Sequence, residues 1–251
     1  MAHLYFDESL ATQLGAESDR ASEVVLRGPD ARHATTVARV RAGERLRLGD
    51  GNGLVVHGTV SAVEGGEVRL AVELVEHIGA SEPRLVLVQA LAKGDRDELA
   101  VQAATELGVD AVIPWQAARS VSRWSDDKAR KGRERWAAIV REASKQSLRA
   151  RIPFVDALAS TRDLATRAAD GAVVLVLDPL AEHPLSALTA HELGHGDVLL
   201  VVGPEGGIAD DEFAALTSAG ARRVRLGATV LRTSTAGPAA IAVVQTALGR
   251  W

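Results

Sequence analysis

Two glycine-bearing turns, each set between a short β-branched run and a helix-forming stretch, constrain the last quarter of this chain more than any other feature. The first, Gly203-Pro204-Glu205-Gly206-Gly207, follows Val198-Leu199-Leu200-Val201-Val202, an apolar run whose branched residues and flanking turn formers predict a buried strand. The second runs from Leu226 through Gly227-Ala228-Thr229-Val230-Leu231 to Arg232 and leads by Thr233-Ser234-Thr235 into a helix. Glycine lets main chain approach a ligand, so two such joints close together expose backbone N–H and C=O groups to a small polar molecule. Neither turn has the Gly-x-Gly-x-x-Gly pattern of a dinucleotide site, and no Walker A lysine or Gly-x-Ser-x-Gly elbow occurs elsewhere. Nicotinamide, nucleoside-triphosphate and serine-hydrolase chemistries therefore lose their usual motifs. The residues alone predict an α/β domain holding a small polar ligand at its C-terminal strand ends.

Upstream the chain divides. Residues 1–76 show short β-like alternations at 24–26, 45–48, 54–60 and 67–76, broken by Gly49-Asp50-Gly51-Asn52-Gly53 and by Gly65-Gly66. They predict a small, mostly β barrel. A helix is expected over 29–40, with Arg32, His33, Arg39 and Arg41 grouped around it; these side chains either contact phosphates or solvate the helix. Residues 77–83 read as a linker.

Over 82–251 strands alternate with helices, the mark of a parallel sheet. Strands are expected at 85–90, 111–114, 172–177, 198–202 and 222–226. Asp95 is expected to cap a helix, with Glu98 completing a capping box, Leu99, Ala103 and Leu107 lining its buried face and Gly108 ending it. Trp136, Val140, Ala143 and Ser147 share one face of a further helix, which turns Arg133, Arg141, Lys145 and Arg149 elsewhere. Weaker helices are expected at 163–169 and at 213–218, the latter capped by Asp210, and a last one over 239–248, opened by Gly237-Pro238.

The 29 Lys and Arg against 33 Asp and Glu leave a net charge of −4, which argues against a uniformly basic nucleic-acid binder. The average hides residues 119–151, where eleven basic and four acidic side chains leave seven net positive charges. Such a patch is either a phosphate footprint or a solvated helix face. The absence of cysteine excludes disulfides and thiolate metal sites. His191-Glu192-Leu193-Gly194-His195 spells a zinc-protease signature. That chemistry needs both histidines on one sustained helix, and Gly194 and Gly196 break this one, so the match reads as chance and no metal is expected. The start, Met1-Ala2-His3-Leu4-Tyr5-Phe6-Asp7-Glu8, has neither the basic head nor the apolar core of a signal peptide. The longest apolar runs fall far below the roughly 20 residues of a membrane span, so a soluble cytoplasmic protein is expected.

Several motifs occur together and in order: Lys93-Gly94-Asp95-Arg96, then Ala104-Thr105-Glu106-Leu107-Gly108-Val109, Arg135-Trp136, Glu142-Ala143, Gln146-Ser147 and Arg149. The two glycine turns, with Leu226-Gly227 through Leu231-Arg232-Thr233, complete the series, and His33, Val37-Ala38-Arg39-Val40 and Gly49-Asp50-Gly51 extend it to the first domain. Together they closely resemble the bacterial 16S ribosomal RNA uracil-N3 methyltransferases, the RsmE family of the SPOUT superfamily. The resemblance implies a PUA-like β-barrel for RNA over residues 1–76 and a SPOUT α/β domain over 82–251, tied in a trefoil knot. It also implies S-adenosylmethionine as cofactor, a homodimer, and 16S rRNA or the small ribosomal subunit as partner.

On that basis the cofactor loops are Leu177-Asp178-Pro179, then Gly203, Pro204, Glu205 and Gly207, then Leu226, Gly227, Val230, Leu231, Thr235 and Ala236, with main-chain groups of Leu226, Gly227 and Leu231 at the adenine. Glu205 is the candidate proton acceptor or orienter and Arg232 the candidate anion stabiliser. RNA contacts are expected from Arg32, His33, Arg39, Lys93, Arg119, Arg123, Lys145, Gln146 and Arg149. Many relatives carry Glu where this chain has Ser234, so either no essential carboxylate serves that position here or its role has moved to Glu205. Another RNA target, or RNA binding without catalysis, are the alternative readings.

Overall fold

The computed structural model describes residues 3–15 and 22–251; Met1 and Ala2, at the head of the stretch read as lacking a signal peptide, lie outside them. The chain forms two compact units, one of Met1–Ala80 with Ser144–Ile152 and one of Ser81–Ala143 with Pro153–Trp251.

The first unit contains β1 (His3–Phe6), α1 (Leu10–Leu14), β2 (Glu23–Leu26), α2 (Gly28–Thr36), β3 (Arg45–Gly49), β4 (Leu54–Glu64) and β5 (Glu67–His77). Its five strands form one sheet in the order β1-β3-β4-β5-β2, with β1 parallel to β3 and the other pairs antiparallel. Gly65 and Gly66 both take positive φ at the β4–β5 turn, the conformation that matches the twist of a tight hairpin. Leu10, Leu26, Leu48, Val56 and Leu70 are fully buried at its centre. α2 is shorter than the sequence suggests, because the Val37 and Ala38 N–H groups both return to the His33 carbonyl and close it. The pairing strand β1 went unread: four residues carry too little alternation to signal a strand. The expected linker begins later than residue 77, since β5 runs through His77 and the Ile78 N–H bonds the Gly53 carbonyl at 2.8 Å.

The second unit begins with β6 (Leu85–Ala90), α3 (Arg96–Glu106) and β7 (Ala111–Trp115). It continues through α4 (Asp126–Gln146), whose last three residues belong to the first unit, then β8 (Phe154–Val155), α5 (Thr161–Ala169) and β9 (Val173–Leu177). After the short α6 (Ala190–Leu193) come β10 (Val198–Val202), α7 (Asp210–Ser218), β11 (Arg222–Val224) and α8 (Thr233–Ala247). Every pairing in the six-stranded sheet is parallel, in the order β11-β9-β10-β6-β7-β8. All residues of β6, β7 and β10 are buried, as helices on both faces of a parallel sheet require. α3 and α8 pack together against β6 and β10, while α5 and α7 pack together with α5 against β9.

Several local expectations change. Asp95 stands at the N-cap of α3 with left-handed φ 59° and makes no side-chain cap; the carboxylate of Asp97 takes the Ala92 N–H instead. Burial pushes the Asp97 carboxyl up, against the main-chain donors that hold it down. Glu98 completes no box: both its oxygens bind Arg135, Nη2 at 2.7 Å. Leu99 points to solvent, and Ala100, Val101, Ala104 and Thr105 form the buried stripe. α7 starts at Asp210, its expected cap, so the N-cap falls one residue earlier at Ala209, whose N–H Glu212 takes. α8 begins at Thr233 and carries Pro238 inside it, so Gly237-Pro238 does not open the helix. Gly237 is needed there for contact, since a Cβ would lie 2.8 Å from Leu87 Cδ1.

Candidate active site

Parallel pairing puts the carboxyl ends of β6, β9, β10 and β11 on one edge: Val224 sits beside Leu177, Val201 beside Val176, and Val202 beside Gln89. The loops that leave these strands meet at a cleft of about 970 Å³, within the range of ligand sites and at the place an open α/β sheet offers one. Leu177, Asp178, Pro179, Gly203, Pro204, Glu205, Gly207, Leu226, Gly227, Val230, Leu231 and Ala236 all line it, with Arg119 and Arg232. Thr235 does not; its N–H returns to the Arg232 carbonyl in the first turn of α8.

Each wall has a physical cause. Among the described residues the main-chain N–H groups of Leu226, Gly227 and Leu231 make no backbone hydrogen bond, so this irregular segment offers free donors next to the apolar Leu177, Leu226 and Leu231 side chains. Asp178 is only 5% exposed. Its Oδ2 accepts from Arg223 Nε at 2.6 Å and its Oδ1 from the Leu180 N–H at 2.9 Å, and Arg223 in turn lies 4.5 Å over the Phe213 ring. The Asp178 carboxylate therefore shapes the loop that lines the cleft.

Thr233 joins the two glycine turns. Its hydroxyl donates to the Gly203 carbonyl at 2.9 Å and accepts from Gln89 Nε2 at 2.8 Å, so one side chain ties β6, the turn after β10 and the start of α8. Sequence reasoning missed Gln89, although a lone amide within the apolar run 85–90 was the signal. It also missed Glu212, 6% exposed, whose carboxylate takes the Ala118 N–H, the Ala209 N–H and the Thr161 hydroxyl. Glu212 thereby holds the loop that carries Arg119.

Glu205 is fastened rather than free. Its Oε1 accepts from the Lys93 N–H at 3.3 Å and from Arg96 Nη1 at 3.0 Å. Burial works to raise its pKa, but its own main-chain N–H, the Lys93 N–H and Arg96 outweigh that, and the carboxyl sits below its ordinary value. Its ionised form is thus present across neutral pH, and what the clamp contributes is lost only as pH falls through that lowered value. Arg232, at the N-cap of α8, is exposed, and its guanidinium has no protein partner among the described residues.

The expected RNA contacts separate. Arg119 Nη1 bonds the Gly206 carbonyl at 3.3 Å and Arg123 Nη2 the Ala118 carbonyl at 3.0 Å; both are exposed and positioned by neutral partners. Lys93 and Gln146 are exposed and Arg149 half-buried. Arg32, His33 and Arg39 are exposed at and after α2. Lys145 departs from expectation: its Nζ lies 3.1 Å from Asp30 Oδ1, with the two side chains 10% and 9% exposed, so the ammonium serves a buried ion pair. Much of the remaining cationic helix is likewise engaged, Arg133 with the Val155 carbonyl and Arg135 with Glu98. The histidine–glutamate motif forms one turn: α6 ends at Leu193, and Glu192 caps Thr189 through a reciprocal box.

Comparison with known proteins gives this arrangement its context. Residues 80–245 match the RNA methyltransferase domain family and residues 26–73 the RNA methyltransferase PUA domain. The chain is 46% identical over 237 residues to ribosomal RNA small subunit methyltransferase E of Mycobacterium tuberculosis, covering 93% of this chain and 90% of that one. It is 33% identical to the protein of that name from Bacillus subtilis, over 92% and 91% of the two chains. Among solved structures, ribosomal RNA small subunit methyltransferase E from Neisseria gonorrhoeae bound to S-adenosyl methionine is 27% identical with a TM-score of 0.79, over 98% of both chains. A putative methyltransferase from Legionella pneumophila in complex with SAM is 26% identical with the same TM-score and coverage. The PUA match identifies the N-terminal fold, and the RNA methyltransferase match that of the α/β unit. The chain belongs to the ribosomal RNA small subunit methyltransferase E family.

Proposed function

We propose that this protein methylates N3 of a uridine in the decoding region of 16S ribosomal RNA, with S-adenosylmethionine as methyl donor, acting in the cytoplasm on the small ribosomal subunit. The observation that carries the reading is the cleft where the loops after β9, β10 and β11 meet, lined by free main-chain donors and apolar side chains. An adenine edge needs such donors, and an apolar wall suits its face. A charged amino-acid tail suits a cleft that also carries arginines. Bound there, the sulfonium supplies an electrophilic methyl carbon.

The remaining chemistry belongs to the chain. The acceptor imide must lose its N3 proton, so Arg232 stabilises the anion that results. The Glu205 carboxylate holds Arg96 and the Lys93 N–H at the first glycine turn. Because the target base has to leave its stack to reach a concave site, cations must hold the flanking phosphates. Lys93, Arg119 and Arg123 do so beside the cleft; Arg32, His33, Arg39, Gln146 and Arg149 extend the contact.

We infer further that residues 1–76 close as a PUA-like barrel and that 82–251 form the methyltransferase domain, its end threaded as a trefoil knot. Knots are nearly absent from proteins; the Thr233 bridge between Gly203 and Gln89 supports one here by holding the two loops it would need. A homodimer completes each site, which suits the exposed Leu180 and Val230 at the cleft. No described helix is long and apolar enough to cross a membrane.

The test is a map of modified nucleosides in 16S rRNA from a strain lacking the gene. Loss of one 3-methyluridine, restored by the intact gene, is the expected result, and its persistence refutes the reading. The cofactor site has its own test. Thr233→Val keeps the shape but takes the hydroxyl donor from the Gly203 carbonyl and one of two acceptors from Gln89 Nε2, which keeps the Ala90 carbonyl, at about 1–3 kcal/mol for a buried polar group. Calorimetry is expected to show S-adenosylmethionine binding weakened about tenfold, whereas unchanged affinity would remove Thr233 from cofactor binding.

A further inference from the structure

Arg96 stands at the first position of α3 and lines the cleft together with Arg119 and Arg232. Its Nη1 is held by Glu205 Oε1 at 3.0 Å, and the same oxygen takes the Lys93 N–H. A guanidinium has five N–H donors in a planar fork, so this contact leaves donors for a ligand. The side chain is 41% exposed, so its remaining donors are open to a ligand in the cleft. Asp178 and Glu205 are both committed to arginines, and the one other carboxylate lining the cleft, Asp210, opens α7.

We propose that Arg96 is a catalytic residue that stabilises the ionised acceptor base, and that Glu205 is a positioning residue acting on the reaction only by holding Arg96. The proposal rests on the uracil-N3 reading above. In the step it describes, the N3–H bond gives its proton to water. The nitrogen lone pair then forms the new bond to the methyl carbon, and the electron pair of the breaking carbon–sulfur bond stays on sulfur. The charge of the imide anion is shared between N3 and the two flanking carbonyl oxygens, which gives Arg96 and Arg232 one oxygen each. A neighbouring cation lowers the pKa of an acidic group by about 1–3 units.

The experiment measures single-turnover methylation of unmodified small subunits from pH 6 to 10, with calorimetry of S-adenosylmethionine binding for each variant. The native rate is expected to rise tenfold per pH unit and to level off at the pKa of the bound imide. Arg96→Ala moves that plateau to higher pH, so that the loss is roughly 30-fold at pH 7, from a shift of about 1.5 units, and shrinks to a few-fold at pH 10. Glu205→Gln keeps an oxygen acceptor for Arg96 and Lys93 but loses the charge that holds the guanidinium, and is expected to lose about three- to tenfold at pH 7 with the rising limb of the profile retained.

A loss in Arg96→Ala that is equal at every pH would assign a structural role and overturn the proposal. So would a tenfold loss of cofactor affinity in that variant with an unmoved profile, because Arg96 would then serve the cofactor's carboxylate. A hundredfold loss in Glu205→Gln, with the rising limb gone, would make Glu205 the base itself. Failure of the underlying reading is separate: native protein would then place no methyl group on uridine N3.

Discussion

Lys145→Ala is expected to destabilise the protein by about 3 kcal/mol while leaving the salt dependence of RNA binding unchanged. The ammonium and the Asp30 carboxylate are 3.1 Å apart and each about nine-tenths buried, and the other Asp30 oxygen accepts the Phe6 N–H at 2.8 Å. Removing the lysine leaves a carboxylate in a poorly hydrated site, which typically costs about 3–5 kcal/mol. The lower end applies because both side chains keep some contact with water. For a chain of this size the melting temperature should fall by roughly 6–12 °C, read by calorimetry. Arg123→Ala provides the contrast: a lost phosphate contact lowers the salt slope of RNA affinity by about one without much change in stability. A Lys145 variant with native melting temperature and a reduced salt slope would return the residue to the RNA surface.

That contrast marks how far the sequence could be read. The central strands were legible because a parallel sheet covered on both faces demands continuous apolar runs, and 85–90, 111–114 and 198–202 supply them. The glycine turns were legible because their residue types allow few backbone alternatives to a tight loop. Partners across the fold were not legible. Seven net charges over 119–151 are visible in composition, but which cations are spent on Asp30, Glu98 or a carbonyl depends on where remote segments come to lie. Arg96 and Glu205, 109 residues apart, meet because β6 and β10 are neighbours in the sheet, an order that no local pattern encodes. The start of α8 was misread for a related reason. Gly237-Pro238 is locally a helix opener, yet the helix extends four residues upstream, where the Thr233 hydroxyl anchors its first turn to the Gly203 carbonyl. The close approach to Leu87 explains the glycine.

Arg232→Ala is expected to slow methyl transfer by about 10²–10³-fold at neutral pH, with S-adenosylmethionine affinity nearly native. The magnitude is that of removing one preorganised donor from a developing anion. Four arginines line the cleft, and three are already engaged: Arg96 by Glu205, Arg119 by the Gly206 carbonyl and Arg223 by Asp178. Arg232 has no such partner among the described residues. A guanidinium left without protein contacts inside a ligand cleft is placed to be satisfied by the ligand, and only an anion satisfies it fully. Its main chain has a separate duty, since the Arg232 carbonyl accepts the Thr235 and Ala236 N–H groups that start α8. Truncating the side chain leaves those bonds in place, so the fold and the cofactor loops should survive. Arg232→Lys keeps the charge but loses the fork, and should recover only part of the rate. The decisive measurement is single-turnover transfer at saturating cofactor and RNA. A loss confined to RNA affinity would place Arg232 on a backbone phosphate. If Arg96 and Arg232 act on the two oxygens of one anion, the double alanine variant should lose less than the product of the single losses, because residues that stabilise the same charge are coupled.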